Sequence, residues 1–547
     1  MTMLHSRHLI VSAVLAGALL LSSCGGRPAS GDGLPAGPDG QQLFIGDSIA
    51  VVNTSAGRVR GYILRGVYTY LGIPYAASAA GENRFMPPQA VEPWDDIRPA
   101  VFYGNVAPQR VDGKYTNSYS TFTDHWNYYD VGEDCLTLNV WTPGTDSEKR
   151  PVLFWIHGGG FTNGNAIEQD GYNGENFSRY GDVVFVSVNH RLGPVGFTDF
   201  SAVDERFADS GNVGILDIVA ALRWVHENIA AFGGDPSNVT IMGQSGGGAK
   251  VCTLVSMAET DGLISKAVAL SGNITGAIDA NYSRDLGKYI YEKAGRSMKR
   301  LQEMPWEEYL DFADHAAAEF SRTRSNGMMR GSFGPVGDGM HVPMGTFFSD
   351  TNLHSNDIPM IFSTTTCEFS LSKTNAELEE ISREGAVELL EESGIGNAGA
   401  VYDAYSGIFP GQKPIEVVGL VQSSRAQVLA AADAKSVQDA PVYLAWFGFN
   451  PPLFDGRMRA THCSDICYWF MNTDLMLTHT GGGARPRALS VKMADALLRF
   501  MRTGDPNGEG LPEWPEYTPE EGATMFLGDE CRVMDSPDRE GLALLSR

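Results

Sequence analysis

Val239-Thr-Ile-Met-Gly-Gln-Ser-Gly-Gly-Gly248 decides how this chain is read. Its first four residues are apolar or β-branched and read as a buried strand. Gly243-Gln-Ser-Gly-Gly247 then fits Gly-x-Ser-x-Gly, and residues 249–257 read as a helix. Strand, tight turn and helix are the context that a nucleophile elbow needs. Such a turn holds its Ser in strained backbone angles, so the residues two positions away on each side must lack side chains. Gly243 and Gly247 meet that demand. The alternative is a Gly-rich turn with an incidental Ser; the flanking strand and helix favour the elbow. The rest of the chain must then supply a base, an acid and donors for an oxyanion.

Upstream, Val152-Leu-Phe-Trp-Ile156 is apolar throughout, as a strand covered on both faces should be. It runs into His157-Gly-Gly-Gly160. No Cβ obstructs these glycines, so consecutive N–H groups can be aimed into a site. A plain Gly-rich strand-to-loop turn is the alternative; with an elbow downstream, the stretch reads as an oxyanion hole. The N–H of Gly246, just after the nucleophile, supplies a third donor.

Farther out, residues 136–141, 183–188, 267–270, 360–363 and 442–447 carry strand signals. Residues 214–230 repeat apolar side chains at three- and four-residue steps, which predicts a helix. Residues 49–59 and 61–70 predict an antiparallel start, and 490–501 predict a late amphipathic helix. Strands alternating with helices imply an α/β class with a large, mostly parallel sheet. Residues 276–355 change to charged helical sequence and read as an insertion on that sheet. Residues 115–129 hold Tyr115, Tyr119, Phe122, Trp126, Tyr128 and Tyr129 with no regular period. Such a loop either walls a cleft or pins itself to the body.

In this architecture the order along the chain is Ser, acid, His. Only His315, His341, His354, His462 and His479 follow Ser245. Functional groups gather beyond the carboxyl ends of sheet strands. His462 lies in a loop after the strand ending near Phe447 and is favoured over a surface-loop histidine. Glu368 follows the 360–363 strand through Thr364-Thr-Thr-Cys367. On pattern alone it is as well explained as one of many surface carboxylates.

Composition narrows the class. The 547 residues carry a formal net charge of −25, which argues against nucleic acid or an anionic membrane as a partner. The N-terminus reads as targeting rather than structure: Arg7 and His8 precede a short apolar run over residues 9–21. It ends in Leu21-Ser-Ser-Cys24, which resembles a bacterial lipobox. That resemblance implies cleavage after residue 23 and a lipid on Cys24. Residues 24–46 read as the lipidated Cys and a flexible tether, and 47–547 as one catalytic domain. No CxxC spacing suggests zinc, and the cluster His462, Cys463 and Cys467 lacks a fourth ligand at suitable spacing. Cys367 and Cys463 each neighbour a candidate site residue, and a disulfide between them is an expectation to test.

Several separated motifs resemble the type-B carboxylesterase/cholinesterase family. They are Gly72-Ile-Pro-Tyr-Ala76, Arg84-Phe-Met-Pro-Pro88, Glu133-Asp-Cys-Leu136 with Leu138-Asn-Val-Trp141, and His157-Gly-Gly-Gly-Phe161. Asn189-His-Arg-Leu-Gly193, the run from Gly211 to the elbow, and Thr503-Gly-Asp-Pro-Asn507 with Trp514-Pro515 join them. The resemblance spans roughly residues 47–530 and is specific in combination. It implies the α/β-hydrolase fold, with helical insertions over the active site. It implies Ser245 as nucleophile, His462 as base and Glu368 as acid. It also implies an oxyanion hole from Gly159, Gly160 and Gly246, and places Ser271 and Asp465 where the family has polar groups supporting the acid–histidine pair.

Departures stand out. The family commonly has Gly-Glu-Ser-Ala-Gly, whereas this chain has Gln244 and Gly246. Backbone donation survives the change at 246, so a methyl there is expected to be tolerated. Cys135 usually pairs with an upstream Cys, but the matching stretch here is Gly104-Asn-Val-Ala-Pro-Gln109. The aromatic loop is therefore expected to be unbridged and able to gate the site.

These readings imply a serine carboxylic-ester hydrolase acting through an acyl-enzyme on small to medium esters, with no cofactor and no metal. Alternatives are amide, lactone or carbamate hydrolysis by the same triad, or a non-catalytic binding protein on the same fold. The partner is a small-molecule ester, with a membrane reached through the lipid on Cys24. The implied location is the bacterial cell envelope. Gly25 and Gly26 after the lipidated Cys favour the outer membrane over the inner.

Overall fold

The computed structural model describes residues 40–111, 122–123, 126–127, 129–323 and 333–545. The signal segment, Cys24, residues 25–39 of the tether, and Tyr115, Tyr119 and Tyr128 lie outside the described residues. The end of the expected tether is not free, since Leu43 pairs with Leu64 and Phe44 with Ile63.

Strand Arg150–Ile156 explains the layers. Its side chains alternate between two apolar cores: Val152, Phe154 and Ile156 face one, Leu153 and Trp155 the other. A strand that must be apolar on both faces belongs at the centre of a sheet covered by helices on each side. Twelve strands build that sheet. They are β1 (Leu43–Phe44), β2 (Tyr62–Leu64), β3 (Val67–Pro74), β4 (Thr137–Thr142), β5 (Arg150–Ile156), β6 (Val184–Val188), β7 (Gly234–Gln244), β8 (Lys266–Leu270), β9 (Met360–Thr365), β10 (Val442–Phe447), β11 (Ala523–Leu527) and β12 (Arg532–Asp535). Their spatial order is β1-β2-β3-β4-β6-β5-β7-β8-β9-β10-β11-β12. The run from β6 to β11 is parallel. The margins are antiparallel. The carboxyl ends of the parallel run thus share one rim of the sheet. This is the α/β-hydrolase arrangement that the motifs imply.

Most sequence expectations hold within a residue or two, and the misses have physical causes. The elbow strand begins earlier than Val239, at Gly234, with an irregularity in its pairing between those residues. Gly234-Asp-Pro reads locally as a turn, and only pairing with β5 recruits it. The predicted antiparallel start splits in two. Val51–Asn53 and Arg58–Arg60 leave the main sheet and join Ile97–Pro99 in a small one. Strands β11 and β12 lie beyond the last strand signal read from the sequence, though Ala523-Thr-Met-Phe-Leu527 is buried along its whole length.

Residues 276–355 contribute no strand to the large sheet among the described residues. They carry helices Ala280–Lys293, Met298–Glu303 and Trp306–Thr323. Tyr309 is fully buried, and the partly buried Trp306 and Phe312 pack against the same core. In the aromatic loop, the described Phe122 packs edge-on against Phe454, and Tyr129 against Tyr103. The gating expectation falls largely on residues outside the described set.

Candidate functional site

The end of β7 determines the site. Ser245 follows Gln244 with φ 58° and ψ −126°, angles that side chains rarely adopt, and helix Gly246–Leu254 starts at the next residue. The Ser245 N–H donates to Leu270 O on β8 at 2.8 Å. Tight packing pays for this strain and leaves no room for side chains beside it. A Cβ at Gly243 would lie 2.4 Å from the Gly247 backbone, and one at Gly247 would lie 2.1 Å from Ile156 O. The sequence argument for these two glycines is therefore steric in the folded chain as well.

Gly246 behaves differently from expectation. A Cβ there would sit 2.1 Å from Gly160 O and 2.4 Å from Gly160 Cα. Real Cβ contacts are never so short, and the atoms met are backbone rather than a flexible side-chain tip. The expectation that a methyl is tolerated at 246 is corrected. In this chain the His157–Gly160 loop occupies the space that an alanine would need. The N–H groups of Gly159, Gly160 and Gly246 have no acceptor among the described residues. Gly159 and Gly160 have φ of 82° and 62°, which suits them to a tight loop.

Two strands farther along the rim, β9 and β10 deliver the other two groups. Glu368 follows β9 and is 1% exposed. Its Oε1 accepts from Ser271 Oγ at 2.8 Å, from the Thr365 N–H at 3.0 Å and from Thr364 Oγ1. Its Oε2 bonds His462 Nδ1. A backbone bond from His462 N to Glu368 O, 2.9 Å, ties the two loops together. Burial pushes the Glu368 pKa up. The His462 hydrogen bond and charge, the Thr364 hydroxyl and the Thr365 N–H outweigh it, and the net direction is down. Burial pushes His462 down, but the Glu368 bond and charge, and then the Asp465 charge, leave it raised above 6.5. The Phe369 ring stacks on the imidazole at 5.6 Å.

Ser245 Oγ has no hydrogen bond among the described residues. The side-chain nitrogen of Gln244 lies 3.3 Å from His462 Nε2 and 3.4 Å from Nδ1, and Cys463 Sγ donates to Gln244 Oε1 at 3.1 Å. Gln244, flagged as a family departure, thus touches the imidazole itself. The expected bond between Cys367 and Cys463 does not form, and none of the six described cysteines is in a disulfide. Cys463 Sγ turns to Gln244 instead, while Cys367 Sγ packs against Gly419.

The two expected supporting residues part ways. Ser271 holds Glu368 directly. Asp465 bonds neither Glu368 nor His462 with its carboxylate, and acts on the imidazole through its charge alone. Its carboxylate is buried and has no well-formed hydrogen bond; the Trp469 indole favours the charged form but misses bonding geometry. Burial first, then the Glu368 charge, raise its pKa to about 7. The sequence reading missed Thr364 and Lys250. Thr364 passed as linker, although hydroxyls at the end of a buried strand are a usable signal. Lys250 is the one charged side chain of a wholly buried helix, a sharper signal still.

A strained serine, a carboxylate-bound imidazole and three free N–H groups on one rim can support acyl transfer. Comparisons with known proteins agree. Residues 48–544 match the model of the carboxylesterase family. The chain is 31% identical to phenmedipham hydrolase of Pseudarthrobacter oxydans, covering 90% of this chain and 99% of that one. It is 32% identical to para-nitrobenzyl esterase of Bacillus subtilis, covering 90% and 97%. An esterase from anaerobic Clostridium hathewayi that can hydrolyze aliphatic aromatic polyesters superposes with a TM-score of 0.80 at 36% identity, covering 92% of this chain and 99% of that one. The chain therefore belongs to the carboxylesterase family and is a carboxylic ester hydrolase of the α/β-hydrolase fold.

Proposed function

We propose that Ser245, His462 and Glu368 carry out ester hydrolysis through an acyl-enzyme. Ser245 Oγ attacks the ester carbonyl carbon as His462 Nε2 takes its proton. The alcohol leaves with that proton, and water activated by the same imidazole then cleaves the acyl-enzyme. Glu368 orients the ring and stabilises its charged form. The N–H groups of Gly159, Gly160 and Gly246 receive the oxyanion, and Ser271 holds the carboxylate in place. The hydrogen bond between Ser245 and His462 closes as substrate seats, displacing the Gln244 amide from Nε2. The observation that carries the reading is the buried Glu368–His462 pair, whose second carboxylate oxygen is held by three donors.

The same proposal treats residues 47–547 as one catalytic domain with the 276–355 insertion, acting on small to medium esters. It takes residues 1–23 as a lipoprotein signal and Cys24 as the lipid anchor at the bacterial cell envelope, the outer membrane favoured. Amide, lactone or carbamate hydrolysis by the same triad is the competing reading.

A fluorophosphonate probe should label wild-type protein stoichiometrically and leave Ser245→Ala unlabelled. Rates on matched ester and amide substrates should favour the ester; faster amide turnover would move the assignment. Because His462 must be neutral to accept a proton, kcat/KM should climb as pH rises through its raised pKa. Glu368→Gln removes the main cause of that rise. The acid limb should move to lower pH and kcat/KM should fall about 10⁴-fold. Gly246→Ala should push Gly160 aside and slow acylation about 100-fold, read in the pre-steady-state burst. Metabolic labelling with an alkyne fatty acid should mark the full chain but not Cys24→Ala.

A further inference from the structure

We infer that Lys250 is a positioning residue that clamps the two halves of the oxyanion hole together: its ammonium holds both ends of the His157–Phe161 loop from within the elbow helix. The inference rests on the acyl-transfer reading of Ser245 and adds a regulator to that site.

The geometry is specific. Lys250 lies one helical turn past Gly246, the donor at the start of helix Gly246–Leu254. Its Nζ donates to His157 O at 3.1 Å, the first residue of the glycine loop. The same Nζ stands over the Phe161 ring, 5.6 Å from its centroid, at the loop's far end. Between these two grips lie Gly158, Gly159 and Gly160. Three consecutive glycines cost the most conformational entropy to order. The loop's other ties include Asn163 N–H to Gly159 O at 3.1 Å and Gly193 N–H to Phe161 O at 2.7 Å, and neither of these comes from the elbow helix. Lys250 is fully buried, and a buried ammonium is costly unless it has partners. A carbonyl and an aromatic face are the partners here.

The surroundings let the clamp titrate. Burial lowers the Lys250 pKa to about 7, and Glu168 is the acid that opposes the fall. His157 and His190 stack at 4.9 Å beside it, and burial, then the Lys250 charge, hold both well below 6.5. Arg191 is the other cation acting on this group, through His190. Lys250 is therefore the member whose charge changes near neutral pH. Deprotonation removes the attraction to Phe161 and weakens the bond to His157 O. The glycine loop then loosens against the elbow. The sign is opposite to that of His462. His462 must lose its proton for activity, whereas Lys250 must keep its own, so Lys250 produces an alkaline limb.

The test is the pH profile of kcat/KM for ester hydrolysis, with fluorophosphonate labelling of Ser245 in the same samples. Wild type should show an alkaline limb starting near neutral pH. Lys250→Met should lower kcat on the order of tenfold at the wild-type optimum with KM little changed, because the oxyanion exists only after attack. Its profile should lack the alkaline limb. Affinity for a trifluoromethyl ketone should weaken in parallel with kcat. Phe161→Leu keeps the lysine but removes the ring, so its alkaline limb should move to lower pH; this variant serves if Lys250→Met does not fold. A wild-type profile that rises to about pH 9 without falling overturns the inference, as does a Lys250→Met profile with the wild-type limb. Absence of Ser245 labelling in wild type would instead overturn the acyl-transfer reading itself.

Discussion

The backbone of Ser245 is the constraint on which the site depends. At φ 58° and ψ −126° it is held in a region that costs free energy, of order 1–3 kcal/mol for such residues. Only dense packing keeps it there. Its N–H is tied to Leu270 O on the neighbouring strand, and its own carbonyl lies where a Cβ at Gly272 would come within 1.7 Å. The elbow is therefore pressed between the end of β5 on one side and the end of β8 on the other. That compression puts the serine at the rim and the glycine loop within reach of it.

The acid–base half of the site works by balance rather than by exposure. Glu368 is buried yet ionised, because three donors and an imidazole replace the water it has lost. His462 is raised by the same contact. Asp465 shows the converse: buried without a well-formed hydrogen bond, it is driven toward its neutral form. The two carboxyl groups near His462 are thus shifted in opposite directions: both are buried, and only Glu368 has donors that outweigh the burial.

Much of this was legible in the chain. The elbow, the glycine loop and the parallel sheet follow from local patterns with a steric or periodic cause. Glu368 and His462 were not decided by pattern, since they are separated by 94 residues and meet only because β9 and β10 are neighbours in the sheet. Resemblance supplied them, and the fold shows why: each follows directly or by one loop from a strand end on the same rim. The fate of a methyl at 246 was misjudged because the obstacle, Gly160, is distant in sequence. The supposed disulfide failed for the same kind of reason, as side-chain direction at Cys367 and Cys463 is set by what each packs against.

The sequence by itself determined the central parallel strands and the elbow helix, and their order, because apolar alternation, glycine spacing and strand–turn–helix succession are local demands of the backbone. It also determined which residue must be the strained serine. Only the tertiary structure decided the partners: which hydroxyls hold Glu368, that Gln244 rests against the imidazole, that Asp465 stands unsupported, and that Lys250 grips the glycine loop. Those contacts join residues brought together by the strand order and close packing of the whole domain, and no local pattern records them.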